Sequence, residues 1–154
     1  MKIWARLFCA VALVLLTTMH AVAQEKRFVQ KLKLSATQTA VVAEGDLEAR
    51  SAGSYSVRVY STEDTQPGDD TTFFTAGVVQ ERDGFIEKLA LADVNGDGKE
   101  ELVVIVRSAG CGGYLSAQAF SFSKTKITLA AVVADLPPKS DPIVELKKVV
   151  KPRK

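Results

Sequence analysis

The segment most similar to a metal-binding motif lies between residues 93 and 101, where oxygen-bearing side chains recur at alternate positions from Asp93 to Asp97. Calcium loops place oxygen ligands at positions 1, 3 and 5, a glycine at position 6 and a backbone carbonyl at position 7. The residues that would supply these ligands, with one acidic residue to close the site, are Asp93, Asn95, Asp97, Lys99 through its carbonyl, and Glu101. The pattern predicts a structural Ca²⁺ site, because a single loop of this kind offers no substrate cleft.

The same segment also has an interpretation that needs no metal. Asn-Gly and Asp-Gly pairs tolerate positive φ and form tight turns between strands by themselves. The calcium loop of an EF-hand has a glutamate at its twelfth position, where this chain has Val104. A Ca²⁺ loop and a metal-free turn rich in Asp and Asn therefore both stay open.

A second segment, from Ser108 to Tyr114, joins two predicted strands and contains three glycines. Glycine permits positive φ and lets the backbone approach a partner closely. No Lys-Ser/Thr pair and no helical pattern follow, so the segment is neither a phosphate-binding nor a dinucleotide-binding loop. It is either a flexible hairpin or a loop that binds a partner.

The first 23 residues are organised like a secretory signal peptide. Lys2 and Arg6 precede an apolar run over residues 7–16, and Ala21 and Ala23 form a small-residue cleavage site. The apolar run is shorter than the roughly 20 residues that span a bilayer. We therefore expect cleavage before Gln24, export to the periplasm and no membrane anchor.

Cleavage would leave a chain without histidine and with one cysteine, because His20 and Cys9 lie in the removed segment. Ser-His-Asp and Cys-His hydrolases need an imidazole to move a proton, and histidine-ligated metal sites need it as a ligand. The cleaved chain is therefore not expected to belong to these classes.

Loss of Lys2 and Arg6 lowers the 20 Lys and Arg residues to 18, equal to the 18 Asp and Glu residues. A formally neutral chain of this kind is not expected to bind nucleic acid.

These loops must be positioned by strands, because apolar residues recur with period 2 along most of the chain. The predicted strands cover residues 28–34, 39–43, 55–60, 71–79, 85–93, 102–106, 114–122 and 127–134. Residues 102–106 are continuously apolar and β-branched, which favours a buried central strand. Asp83-Gly84 predicts a tight turn. About eight short strands with short connections predict an all-β fold, an antiparallel β-sandwich.

The predicted sandwich domain covers residues 24–140, and residues 141–154 form a basic tail or arm. Positive charge is concentrated at the end of this tail, in Lys147, Lys148, Lys151, Arg153 and Lys154. A solvated tail is the simplest interpretation of such a charge run. Residues 143–150 could also form a strand or an ordered arm.

The glycine-rich loop ends in Cys111-Gly112-Gly113-Tyr114, preceded by Val-Val-Ile-Val-Arg-Ser-Ala-Gly and followed by Leu-Ser-Ala-Gln-Ala-Phe. Together with the signal peptide and the Asp-Val-Asn-Gly-Asp-Gly turn, this segment resembles the bacterial periplasmic inhibitors of invertebrate-type (I-type) lysozyme. In that family the loop contains Ser-Gly-Gly-Tyr. The likeness extends over most of the chain after residue 23.

The resemblance implies a protein that is not an enzyme and needs no cofactor, and that blocks the active-site cleft of an I-type lysozyme with this loop. The residues that would bind the lysozyme are Arg107, Ser108, Cys111, Gly112, Gly113 and Tyr114. Tyr114 would be the anchor, because tyrosine combines apolar area and a hydroxyl with little rotamer entropy. Residues 65–70 or 50–55 would provide a second contact loop.

Cys111 departs from the family pattern, which has serine at this position. A thiol is a weaker hydrogen-bond donor and acceptor than a hydroxyl. If the serine hydroxyl normally bonds a catalytic carboxylate, that contact is weakened here. An exposed thiol could also link two chains, which makes a homodimer a further expectation.

Two other functions fit parts of the sequence. A calcium-dependent module that binds envelope carbohydrate would use residues 93–101, and calcium-dependent glycan binding would distinguish it. A small envelope glycosidase needs only two carboxylates, so the missing histidine does not exclude one. The chain contains no paired-carboxylate motif that favours the glycosidase.

Overall fold

The computed structural model describes residues 26–63, 65–66 and 71–150. The predicted signal peptide over 1–23 and the end of the basic tail, 151–154, lie outside the described residues. The elements in chain order are β1 (Val29–Lys33), β2 (Gln38–Glu44), β3 (Ala52–Ser61), β4 (Phe73–Asp83), β5 (Phe85–Ala92), β6 (Glu101–Arg107), β7 (Leu115–Phe122), β8 (Ile127–Leu136) and α1 (Pro142–Val149).

The strands form two four-stranded sheets in which every neighbouring pair is antiparallel. The first sheet has the order β1-β2-β3-β4 and the second has the order β5-β6-β7-β8. Within each sheet, every strand therefore pairs with the next one along the chain, as short connections favour. The predicted all-β antiparallel sandwich of about eight strands is confirmed.

The corner at Gly84 carries the chain from one sheet to the other. The predicted tight turn at Asp83-Gly84 is present as this corner, but it does not form a hairpin, because β4 and β5 belong to different sheets and do not pair. Gly84 has φ +117°, and a Cβ atom there would collide with the carbonyl oxygen of Arg107. Glycine is required at this position because the end of β6 packs directly against the corner.

Strand β6 is buried on both faces, and this explains its continuous apolar sequence. Leu102, Val104 and Val106 pack between the two sheets, in the same cluster as Tyr55 and Phe120. The alternate residues of β6, Val103 and Ile105, pack on the outer face of the second sheet, in the same cluster as Leu146 of α1. The prediction of a buried central strand is confirmed.

Helix α1 covers the outer face of the second sheet, where the sequence predicted a solvated tail, a strand or an arm. Residues 142–149 therefore form an ordered arm that is helical, which corrects the alternatives of a strand and a solvated tail. Asp141 is the N-cap and accepts a hydrogen bond from the Ile143 amide at 2.9 Å, and Pro142 occupies the first turn. Leu146 is completely buried, with Ile143 and Val150 packed around the same cluster. This burial at helical spacing holds the segment on the sandwich.

Candidate functional site

The glycine-rich loop, residues 108–114, is a narrow and internally bonded connection between β6 and β7. The Ser108 amide donates to the Tyr114 carbonyl at 2.8 Å, which closes the base of the loop. Within the loop, the Gly113 amide donates to the Gly110 carbonyl at 3.1 Å. The Gly110 amide donates to Ser108 Oγ at 3.2 Å. Ser108 therefore shapes the loop from inside.

Most residues of the loop are open to solvent. Tyr114 is 49% exposed, although it is one of the larger apolar side chains of the protein. Its ring lies over Gly112, where a Cβ atom would collide with the ring carbons. Cys111 is exposed and forms no disulfide. The loop thus presents an aromatic ring, a thiol and bare glycine backbone on one small surface.

Arg107, the last residue of β6, is engaged by neighbours within the chain. Its Nε lies 2.7 Å from Glu87 Oε2, and its Nη2 donates to Glu87 Oε1 at 3.0 Å. The remaining nitrogen, Nη1, donates to the Gly113 carbonyl at 2.8 Å. The sequence predicts that Arg107 contacts the lysozyme. In the structure, these hydrogen bonds also connect Arg107 to the glycine-rich loop of its own chain.

Two other chain segments lie at the same end of the sandwich as the glycine-rich loop. Because consecutive strands run antiparallel, the β2–β3 loop, the Gly84 corner and the β6–β7 loop share one end. The Gly84 amide donates to the Ser51 carbonyl at 2.7 Å, so the β2–β3 loop touches the corner. Leu47 in that loop is fully exposed.

This placement separates the two predicted second contact loops. Residues 50–55 begin at the end where Tyr114 lies. Residues 65 and 66 belong to the β3–β4 connection at the opposite end, and residues 67–70 lie outside the described part of the chain. Contact of either segment with lysozyme stays a prediction, and only residues 50–55 begin near the glycine-rich loop.

A buried ion network holds this end together, and the sequence prediction missed it. Arg82 of β4 donates to the carbonyl oxygens of Ser54, Arg50, Gly84 and Ala49. Its Nε lies 3.9 Å from Glu44 Oε1, and Glu44 Oε1 accepts from the Ile86 amide at 2.9 Å. Arg82 and Glu44 lie in strands with ordinary alternation, so only their burial distinguishes them from surface charges.

The loop over 93–100 lies at the far end of β6 from the glycine-rich loop. Seven residues of β6 separate them, which amounts to roughly 20 Å of extended chain. Asp93 Oδ1 accepts from the Gly96 amide at 2.7 Å, and Asn95 Oδ1 accepts from the Asp97 amide at 2.8 Å. Asp97 Oδ1 in turn accepts from the Lys99 amide at 2.9 Å. The loop is therefore a series of Asx turns.

Glu101, the predicted closing ligand, is turned inward and buried. Its Oε2 accepts from the Val94 amide at 2.9 Å, and its Oε1 accepts from Asn95 Nδ2 at 2.7 Å and from Ser121 Oγ at 3.2 Å. In residues 26–63, 65–66 and 71–150, no three His, Cys, Asp or Glu side chains converge as a metal site would require. Glu101 could bind a metal ion only if its carboxylate gave up hydrogen bonds to these donors.

Ca²⁺ binding by this loop stays a prediction with a direct test. If the ion binds with the millimolar affinity of extracellular modules, Ca²⁺ at several millimolar should raise the Tm by a few degrees. The measurement is a thermal melt with Ca²⁺, with Mg²⁺ as the ionic control. Asp97→Asn keeps an acceptor for the Lys99 amide and should abolish the rise. Equal melting curves with and without Ca²⁺ would identify the loop as a metal-free turn.

No helix in the described part of the chain is long and apolar enough to cross a membrane.

Comparison with known proteins identifies the family. The family model for the periplasmic lysozyme inhibitor of I-type lysozyme matches residues 26–150. None of the curated proteins matches the chain. The crystal structure of PliI-Ah, the inhibitor from Aeromonas hydrophila, is 42% identical with a TM-score of 0.68, over 77% of this chain and 98% of that one.

A second solved structure is that of Aeromonas hydrophila PliI in complex with the lysozyme of Meretrix lusoria. It is 43% identical to this chain with a TM-score of 0.67, over 78% of this chain and 95% of that one. The family predicted from the loop and its flanks is therefore confirmed. The chain belongs to the family of periplasmic inhibitors of I-type lysozyme, whose members are inhibitor proteins and not enzymes.

Proposed function

We propose that this protein inhibits I-type lysozyme by inserting the glycine-rich loop into the substrate cleft of the enzyme. The observation that carries the proposal is the half-exposed Tyr114, whose backbone closes a short, internally bonded loop and whose ring lies over Gly112 of that loop. The complex formed by a 43% identical relative with an I-type lysozyme supports the choice of partner. No bond is made or broken in this mechanism, because the cleft is blocked and not chemically altered.

Tyr114 would be the anchor in the cleft. A large aromatic side chain that is already exposed loses water on binding without first leaving a core. Tyrosine is also enriched among the residues that dominate binding energy at protein interfaces. Its hydroxyl would bond a polar group in the cleft while the ring fills the space of a sugar unit.

Gly112 and Gly113 would let the loop backbone approach the catalytic carboxylates. Lysozymes use two carboxyl groups in a cleft, and a side chain on the loop would keep the backbone away from them. Gly113 has φ +55°, a conformation that most residues adopt only with strain. The Tyr114 ring packs against Gly112, in the space that a Cβ atom would occupy. Substitution at either position would change both the shape of the loop and the direction of the ring.

The proposal is tested by titrating I-type, chicken-type and goose-type lysozymes with purified residues 24–154 and measuring the lysis of cell walls. We expect stoichiometric loss of activity for the I-type enzyme. Inhibition of another type alone would contradict the proposed partner. Full activity of all three enzymes at excess protein would contradict the inhibitory function.

Replacing Cys111 with serine is expected to strengthen inhibition by about two- to tenfold, the effect of one regained hydrogen bond. Cys111 is exposed at the loop tip, so the substitution disturbs no packing. The inhibition constant for I-type lysozyme would be measured under reducing conditions, which exclude disulfide-linked chains.

The matched control is Cys111→Ala, which removes the thiol without adding a hydroxyl and should inhibit about as well as the unaltered chain. If Cys111→Ser and Cys111→Ala have the same inhibition constant, the side chain at this position makes no hydrogen bond to the enzyme. The state of the thiol also bears on the predicted homodimer, which gel filtration with and without reductant would detect.

A further inference from the structure

We infer that Glu87 is a positioning residue for the glycine-rich loop: through Arg107 it holds Gly113, and with it Tyr114, ready to bind lysozyme. The inference rests on the proposed function, because it concerns how the same loop is held before the enzyme arrives. It also assigns Arg107 an internal role, in place of the rim contact expected from the sequence.

The guanidinium of Arg107 connects two chain segments. Two of its nitrogens form a bidentate pair with the Glu87 carboxylate, at 2.7 and 3.0 Å. The third donates to the Gly113 carbonyl at 2.8 Å. A planar guanidinium held by two parallel bonds has a fixed orientation, so its third donor is also fixed. Glu87 thereby determines where Gly113 can lie.

A β-bulge gives Glu87 its position. Ile86 pairs with Val106 and Lys88 pairs with Ile105, so Glu87 is an extra residue between two successive pairs of β5 and β6. Bulges redirect a side chain away from the ordinary alternation of a strand. The side chains of Glu87 and Arg107 are 34% and 29% exposed, so the pair is partly shielded from solvent.

The hydrogen bond from Arg107 restrains the loop at Gly113, the residue next to Tyr114. A glycine-rich segment populates many conformations, and ordering it on binding costs free energy. The carbonyl of Gly113 belongs to the peptide unit that leads into Tyr114, so fixing it restricts the direction of the tyrosine. A loop that is correctly shaped only part of the time has an apparent Kd raised by the inverse of that fraction.

The test compares Glu87→Ala with the unaltered chain in inhibition and in loop order. We expect Glu87→Ala to weaken inhibition of I-type lysozyme by about five- to tenfold, because the binding-competent fraction of the loop falls. In the free protein, amide hydrogen exchange at Ser108 and Gly113 should accelerate, since both amides bond within the loop. Glu87→Gln keeps the length and one neutral acceptor and should fall between the two.

Arg107→Lys distinguishes this role from direct contact with the enzyme. A single ammonium cannot make the bidentate pair and reach Gly113 together, so we expect the same loss as for Glu87→Ala. Retention of full inhibition by Arg107→Lys would favour a rim contact made by charge alone and overturn the inference. The matched control is Glu63→Ala, which breaks the exposed Lys124–Glu63 pair of 3.0 Å at the opposite end and should change neither measurement.

Two results would contradict the positioning role while leaving the proposed function intact. One is unchanged inhibition by Glu87→Ala in an assay where Tyr114→Ala has lost it. The other is weakened inhibition without faster exchange at Ser108 and Gly113, which would indicate direct contact of Glu87 with lysozyme. Failure of the unaltered chain to inhibit any lysozyme would contradict the proposed function instead. Faster amide exchange at Ser108 and Gly113 in Glu87→Ala would still show that Glu87 orders the loop.

Discussion

Replacing Tyr114 with alanine is expected to weaken inhibition of I-type lysozyme by about 30- to 1,000-fold, the effect of losing one anchor residue worth roughly 2–4 kcal/mol. The side chain is half exposed and belongs to neither core cluster, so the fold should be preserved. The inhibition constant would be measured in a lysis assay, and a thermal melt of the same sample would show that the variant is folded.

Two control variants make this result specific. Tyr114→Phe keeps the ring and removes the hydroxyl, so it separates the apolar contribution from the hydrogen bond, which is worth about 0.5–3 kcal/mol. Phe73→Ala removes an aromatic ring that is 52% exposed at the opposite end of the sandwich and should leave inhibition unchanged. A Tyr114→Ala variant that inhibits within about threefold of the unaltered chain, less than about 0.7 kcal/mol, would contradict the anchor role.

Replacing Arg82 with methionine is expected to lower the free energy of unfolding by about 3–5 kcal/mol, the typical effect of removing one partner from a buried ion pair. Glu44 would lose the buried charge of Arg82 at 3.9 Å and keep Arg50 Nη1 at 3.2 Å. It would also leave the carbonyl oxygens of Ala49, Arg50, Ser54 and Gly84 without their donor. Urea denaturation followed by circular dichroism would measure the change in the midpoint and slope.

Arg58→Met is the matched control, because Arg58 is an exposed arginine on β3. Substitutions of this kind at the surface usually change stability by no more than about 0.5 kcal/mol. Similar losses for Arg82→Met and Arg58→Met would show that the buried network contributes little. The network also supports the Gly84 corner and the β2–β3 loop, so Arg82→Met should weaken inhibition in proportion to the unfolded fraction.

Most strands could be predicted from the sequence, because a sandwich with short connections imposes the period-2 pattern directly on the chain. Residues 102–106 are an example: their continuous apolar sequence requires a strand buried on both faces, which β6 is. The helix α1 could also have been predicted. Asp141-Pro142 is an N-cap signal, and Ile143, Leu146 and Val150 have helical spacing. The basic residues at the chain end, however, are typical of a solvated tail.

The glycine-rich loop and its tyrosine were identified from the sequence, because glycine content and a motif similar to a known family are local properties. The role of Arg107 was not, since its partners Glu87 and Gly113 come from β5 and from the loop itself. Glu87 carries no sequence signal at all. Its side chain reaches Arg107 because a bulge interrupts the alternation of β5, and bulges depend on pairing that one strand alone does not reveal.

The strand content, the family and the loop that is proposed to bind lysozyme could be derived from the order of residues alone, because each depends on residues adjacent in the chain. The three-dimensional fold was needed to show that Asp83-Gly84 connects the two sheets, since the same two residues also suit a hairpin. It also placed the Asp93–Glu101 segment and Tyr114 at opposite ends of β6. Such distances depend on which strands pair, and pairing is set by the burial of apolar faces across the whole sandwich.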